Sequence, residues 1–158
     1  MRAVDVIALH AQARPSGVAL IEGERRLAWA ELFERRNRLA SSLTRLGVAQ
    51  GAHAVIDSRN SLEFLLVASA LRAIGVIPVP MNHRLVADEV AYILDHSDAP
   101  VVFVDDTFLP LIDQVRTGAT KVRHWIVLGT ARPAWAESLD RLIASGSPDP
   151  PPDSASGL

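Results

Sequence analysis

The chain has 158 residues, 49% of them hydrophobic and 22% charged, the proportions of a chain that folds around a core. Sixteen Lys and Arg against eighteen Asp and Glu leave a net charge of −2, which offers nucleic acid no basic surface. With no cysteine, disulfides, thiolate nucleophiles and Cys-based metal sites are excluded, and a reducing, cytoplasmic location is expected.

Val4, Ile7, Ala8 and Ala11 recur at helical spacing, so a short amphipathic helix opens the chain and Pro15 ends it. Val18 to Ile21 and Arg26 to Trp29 flank Glu22-Gly23-Glu24 and predict a hairpin. A long helix follows from Ala30 to Leu46, with Leu32, Leu39, Leu43 and Leu46 as its apolar stripe and Gly47 as its C-terminal cap. Its outer face carries Glu31 with Arg35 and Glu34 with Arg38, both i,i+4 pairs in the favourable order.

A regular alternation then sets in. Ala54 to Asp57 reads as a strand. Asn60 with Glu63 resembles a capping box, and the helix behind it runs to Ile74. This helix has no charge between Phe64 and Leu71, which predicts burial on most sides. Val76 to Val79 is a strand, and Val86, Val90, Ile93 and Leu94 mark a helix ending near His96. Val101 to Val104 is a β-branched strand, Phe108 to Val115 a helix, Trp125 to Leu128 a strand and Ala134 to Ala144 a helix. Strands separated by helices form βαβ units, so the fold class is α/β with a mostly parallel, doubly wound sheet flanked by helices. The domain is expected to span residues 1–144. In residues 145–158, twelve of fourteen are Ser, Pro, Gly or Asp, which predicts a disordered or extended tail or linker.

No targeting or membrane signal emerges. Asp5 and His10 break up the apolar part of the first ten residues, where a secretory signal needs an uninterrupted run. Arg72, Gly75, Pro78 and Pro80 interrupt the apolar stretch from Phe64 to Met81, so it reads as a buried helix and strand rather than a membrane span.

Motifs of catalysis are absent. Neither G-x-G-x-x-G nor G-x-x-x-x-G-K-[ST] occurs, so no phosphate cradle is expected. His10, His53, His83, His96 and His124 show no zinc spacing, and there is no G-x-S-x-G elbow. Asp105-Asp106 after a strand, with Asp57 after another, is similar to the Mg²⁺-binding carboxylates of response regulators. The order is wrong, because Asp57 precedes the pair and Lys121, the only lysine, precedes the last strand. These carboxylates are read as loop caps, and no metal ligand is assigned. Trp29, Trp125 and Trp135 are read as core or half-buried anchors.

Several segments taken together resemble the amino-terminal part of adenylate-forming enzymes, in particular acyl-CoA synthetases. They are Leu27-Ala28-Trp29-Ala30-Glu31-Leu32, Leu46-Gly47-Val48 with Gly51, and Asn60-Ser61-Leu62-Glu63-Phe64. The run from Arg72 through Gly75, Pro80, Asn82 and Arg84 to Leu85 is similar to that family's A-x-G-A-V-x-x-P-x-N-x-R-L. Glu89, Tyr92-Ile93-Leu94 and Ser97-Asp98-Ala99 extend the agreement, which covers about residues 3–130 in order. The resemblance implies the first part of the family's large domain. It implies a reaction in which ATP and Mg²⁺ convert a fatty or other carboxylic acid to an acyl-adenylate, and CoA then takes the acyl group. The family's phosphate loop, Mg²⁺-binding glutamate and adenylation lysine lie further along than this chain reaches. The chain by itself is therefore expected to carry no catalytic residue, to bind none of these cofactors as a working enzyme, and to be inactive. The alternatives are one half of a split synthetase, completed by a second polypeptide, and a non-catalytic interaction module. Apolar surface left bare by the missing part would invite such a complementary polypeptide or self-association.

One site residue carries over. The resemblance implies that Arg84 approaches the phosphates of CoA, a task suited to a guanidinium, which is always charged and grips phosphate with two N–H groups. Two departures concern helix caps: Ala28 and Val86 stand where the family has Ser or Thr, so the side-chain caps opposite Glu31 and Glu89 are expected to be lost.

Overall fold

The computed structural model describes residues 5–152. Asp5 caps α1 (Val6–Ala13), its carboxylate accepting the Ala8 N–H at 3.1 Å. β1 (Val18–Glu22) and β2 (Arg25–Ala28) form an antiparallel hairpin whose two-residue turn starts with Gly23 at φ +58°, a conformation that costs glycine little. α2 (Trp29–Arg45) follows directly, so Trp29 opens the helix rather than closing the strand.

The rest of the chain builds a five-stranded parallel sheet in the order β4-β3-β5-β6-β7. Its elements are β3 (His53–Asp57), α3 (Leu62–Ala73), β4 (Ile77–Pro80), α4 (Ala87–His96), β5 (Val101–Val104), α5 (Leu109–Val115), β6 (His124–Val127), β7 (Glu137–Ser138) and α6 (Leu139–Ser145). The period of two along the strands sorts the core into two layers. Ala54, Ile56, Val101, Phe103 and Ile126 face α2, α3 and α6. Val55, Val102 and Val104 face α4 and α5. Helices thus cover both faces, and the sheet is doubly wound.

Three expectations shift. The α3 cap is Ser61, not Asn60: its hydroxyl accepts the Phe64 N–H at 3.0 Å, and Glu63 is drawn away into an ion pair with Arg25. Leu65 of this helix stays about half exposed. The helix expected from Ala134 starts five residues later, because Glu137 and Ser138 pair with Ile126 and Val127 as β7. At α4 only half of a capping box is lost. Val86 has no hydroxyl to offer, but Glu89 still accepts the Val86 N–H at 3.0 Å. Ala28 at the start of α2 makes no side-chain cap.

Residues 146–152 have no regular structure, and 146–148 lie against α2. Asn37 donates to the Pro148 carbonyl at 3.0 Å, Arg38 to the Gly146 carbonyl at 2.9 Å, and the Ser147 N–H reaches Ser41 at 3.2 Å. A Cβ on Gly146 would overlap the Arg38 carbonyl oxygen, so this stretch sits directly on the helix backbone.

Candidate functional site

In an open parallel sheet, side chains with chemistry gather at the carboxyl ends of the strands, above all where the winding reverses. That point lies between β3 and β5. The helix after β3 covers one face, and the helix after β5 covers the other.

β4 leads into the turn that carries Arg84. The Met81 N–H bonds the Ile56 carbonyl at 2.9 Å and anchors the entry. Asn82 then closes the turn with both of its oxygens, the side-chain oxygen accepting the Arg84 N–H at 3.1 Å and the carbonyl accepting Leu85 at 3.2 Å. His83 leans on Phe108 with ring centroids 6.2 Å apart. Arg84 is left exposed, its guanidinium without a protein partner among the described residues, just ahead of the α4 N-terminus. The arrangement presents a free cation where an anion can meet it.

Beside this turn, a groove of about 660 Å³ runs along the outer edge of β4, between the strand and α4. Val79, Met81, Leu85 and Ile93 give it an apolar floor, and His53, Asn82 and His96 its polar points. Tyr92, 65% exposed, stacks on His96 at 5.3 Å and forms one wall. Sequence patterning gave no notice of this groove. Its only trace is that Tyr92 falls outside the apolar stripe of Val90, Ile93 and Leu94 on α4.

The carboxylates behave unequally. Asp57 ends β3 with only 2% of its surface exposed, and one of its oxygens has no hydrogen-bond partner. Burial, with the charge of Asp105 beside it, pushes its carboxyl up to about 6. Asp105 caps the turn after β5 by accepting the Thr107 N–H at 2.9 Å. Asp106 accepts the N–H groups of Thr130 and Ala131 at 2.9 and 3.1 Å, tying down the loop after β6. The loop-cap reading fits Asp105 and Asp106. Asp57 departs from it, because it is buried and caps nothing. Among the described residues, no three His, Asp or Glu side chains are arranged to hold a metal ion.

Lys121 lies at the opposite end of the sheet. It is tied to Asp98 at 2.6 Å and Asp95 at 3.0 Å, and its bond to Asp98 raises its pKa further. Trp125 and Trp135 pack edge to face at 6.0 Å, with Arg116 4.8 Å above the Trp135 ring. No described helix is long and apolar enough to cross a membrane.

Comparison with known proteins follows the same lines. A family model described as AMP-binding enzyme matches residues 7–156. The 4-hydroxybenzoate–CoA/benzoate–CoA ligase of Rhodopseudomonas palustris is 35% identical over 136 residues, 85% of this chain but 25% of that protein. A long-chain-fatty-acid–CoA ligase of Mycobacterium tuberculosis is 33% identical over 129 residues, 80% of this chain and 24% of that one. The crystal structure of an anthranilate CoA ligase in complex with anthranoyl-AMP superposes with a TM-score of 0.89 at 26% identity, covering 94% of this chain and 29% of the ligase. The N-terminal domain of FACL13 from Mycobacterium tuberculosis superposes with a TM-score of 0.81 at 30% identity, covering 92% of this chain and 36% of that domain. The chain thus spans about a quarter of the length of the curated relatives it matches.

Proposed function

The chain belongs to the AMP-binding enzyme family, and we propose that it forms the amino-terminal part of the large domain of an acid–CoA ligase. The observation that supports this most directly is the match of residues 7–156 to the AMP-binding enzyme family, together with relatives named as benzoate–CoA and long-chain-fatty-acid–CoA ligases that align over 136 and 129 residues. In the complete reaction a carboxylate attacks the α-phosphorus of ATP, pyrophosphate leaves, and the thiol of CoA then displaces AMP. Residues 1–158 are proposed to catalyse neither step unaided. They hold no glycine-rich phosphate loop, and their one lysine is engaged by Asp95 and Asp98 at the end of the sheet away from Arg84.

Arg84 is the residue proposed to touch a cofactor, through the phosphates of CoA. Its free guanidinium on a braced turn supports this role. A second reading, in which the chain pairs with a complementary polypeptide, is favoured by apolar surface at Ile21, Val86 and Tyr92, each more than 60% exposed.

The test is ATP–pyrophosphate exchange by the homogeneous 158-residue chain, with benzoate, medium-chain and long-chain fatty acids as substrates. No exchange above background is expected. Robust exchange would overturn the proposal that these residues need the rest of a ligase.

A further inference from the structure

The outer edge of β4 is closed to another strand. The Ile77 and Met81 N–H groups donate to β3, at the Ala52 and Ile56 carbonyls, at 2.8 and 2.9 Å. Pro78 and Pro80 alternate with these residues, so their backbone faces away from β3 and along the edge. Proline has no N–H to give, and an edge without donors is a poor template for a strand. Whatever covers this side of the sheet must do so through side chains.

Those side chains belong to α4. Glu89, Tyr92 and His96 stand at i, i+3 and i+7, so they share one face of the helix. Tyr92 and His96 also line the groove between α4 and β4. The stripe has an acid at one end, an imidazole at the other and an exposed aromatic ring between them. One carboxylate oxygen of Glu89 accepts the Val86 N–H, which leaves the second oxygen available. The His96 ring stacks on Tyr92, and neither of its nitrogens bonds a protein group among the described residues. Asp88 and Asp95, also seven residues apart, form a neighbouring stripe that is acidic at both ends.

We infer that the Tyr92 stripe of α4 is a docking surface for a second copy of this chain, with the two α4 helices antiparallel about a two-fold axis at Tyr92. A two-fold contact must be complementary to itself, and this stripe is. Antiparallel pairing sets Glu89 of each copy against His96 of the other, at both ends. Tyr92 meets Tyr92 at the centre, over the apolar floor that Val79, Leu85 and Ile93 give the groove. Pairing through the Asp88 stripe would set carboxylate against carboxylate, and parallel pairing would set Glu89 against Glu89. Like charges in such positions repel, so one face and one direction are selected. An aromatic centre with polar groups at its rim is also how specific interfaces are built. The inference rests on α4 and β4 and stands whether or not Arg84 binds CoA.

Sedimentation of the full chain from low to high micromolar concentration tests it. A reversible monomer–dimer equilibrium is expected, with nothing larger, because a two-fold contact closes on itself. Tyr92→Ser should raise the dimer Kd about tenfold or more, as the loss of a central aromatic does. His96→Glu should also raise it, by opposing two carboxylates at each end, whereas His96→Lys should not. Ile21→Ser removes an equally exposed apolar side chain from the hairpin and should leave the Kd unchanged. All three positions are exposed, so the variants keep the fold. A chain that stays monomeric throughout would overturn the inference. So would growth beyond the dimer, a dimer indifferent to Tyr92→Ser, or one that weakens as much in His96→Lys or Ile21→Ser as in His96→Glu.

Discussion

Two arginines of this chain show how context assigns a residue its work. Arg36 is 3% exposed, and its charge is met by Asp5 at 2.7 and 2.8 Å and by the Asn37 side chain at 3.0 and 3.2 Å. It also lies 4.8 Å from the Phe33 ring. Arg36 is therefore structural, pinning α1 to α2. Arg84 has the same chemistry with none of those partners, and its charge is available to a ligand. Arg84→Ala should leave the thermal unfolding temperature of the chain within about a degree, since exposed groups away from special features contribute little. In a complete ligase that contains these residues it should raise the Kd for CoA roughly fivefold, the loss of about 1 kcal/mol expected for one exposed charge-assisted contact. Calorimetric titration of CoA into wild type and variant measures this, and identical Kd values would remove Arg84 from the CoA site. The sequence pointed to Arg84 through its neighbours Asn82 and Leu85. It did not reveal that Asp57 is buried, because a single polar residue at the end of an apolar strand carries no pattern that separates a buried carboxyl from an exposed one.

The helices differ in what starts them. Ser61 supplies α3 with a hydroxyl cap, whereas Ala28 offers α2 nothing, although both residues have extended backbone at the same N-cap position. Ser61→Ala should lower stability by about 1 kcal/mol, and Ala28→Ser should raise it by about 0.5–1 kcal/mol. Urea unfolding of the two variants with unchanged m-values checks both signs. A destabilising Ala28→Ser would mean that the Ala28 methyl matters more for packing than its hydroxyl could for capping. The alternating elements from β3 to β6 were legible in the sequence because each strand is a short apolar run and each helix has its own apolar stripe. β7 was not, since two polar residues carry no period, and Ser138 in the cap position was read as part of a longer helix. The stretch from Gly146 to Pro152 was opaque for a different reason. Asn37, Arg38 and Ser41 of α2 hold its first three residues by hydrogen bonds, with little apolar burial for a pattern to reveal.

At the scale of the whole molecule, carboxyl groups perturbed in opposite directions set the dependence of stability on pH. Burial alone would raise Asp5 and Glu63. The bonds from Arg36 and the Ala8 N–H outweigh it at Asp5, and those from Arg25 outweigh it at Glu63, so both lie below their ordinary values of 3.8 and 4.5. A depressed group stabilises fully above its unfolded pKa, and that contribution is lost as pH falls through the lower folded value. Asp57 runs the other way. Its folded pKa of about 6 exceeds the unfolded 3.8, so its contribution is complete below 3.8 and lost as pH rises through 6. The two trends cross, and stability should peak between about pH 4 and pH 5, then decline to a lower plateau above about pH 6.5. Most domains hold their maximum closer to neutrality, so the acidic peak is a specific signature of Asp57. Urea unfolding from pH 3.5 to pH 8 should show it in the wild type. Asp57→Asn should keep the acid limb, which belongs to Asp5 and Glu63, and flatten the decline between pH 4.5 and pH 6.5. If the variant declines as the wild type does, another group governs the neutral limb. If the wild type gains stability up to pH 7, the Asp57 carboxylate has found a donor, and this profile would have to be given up.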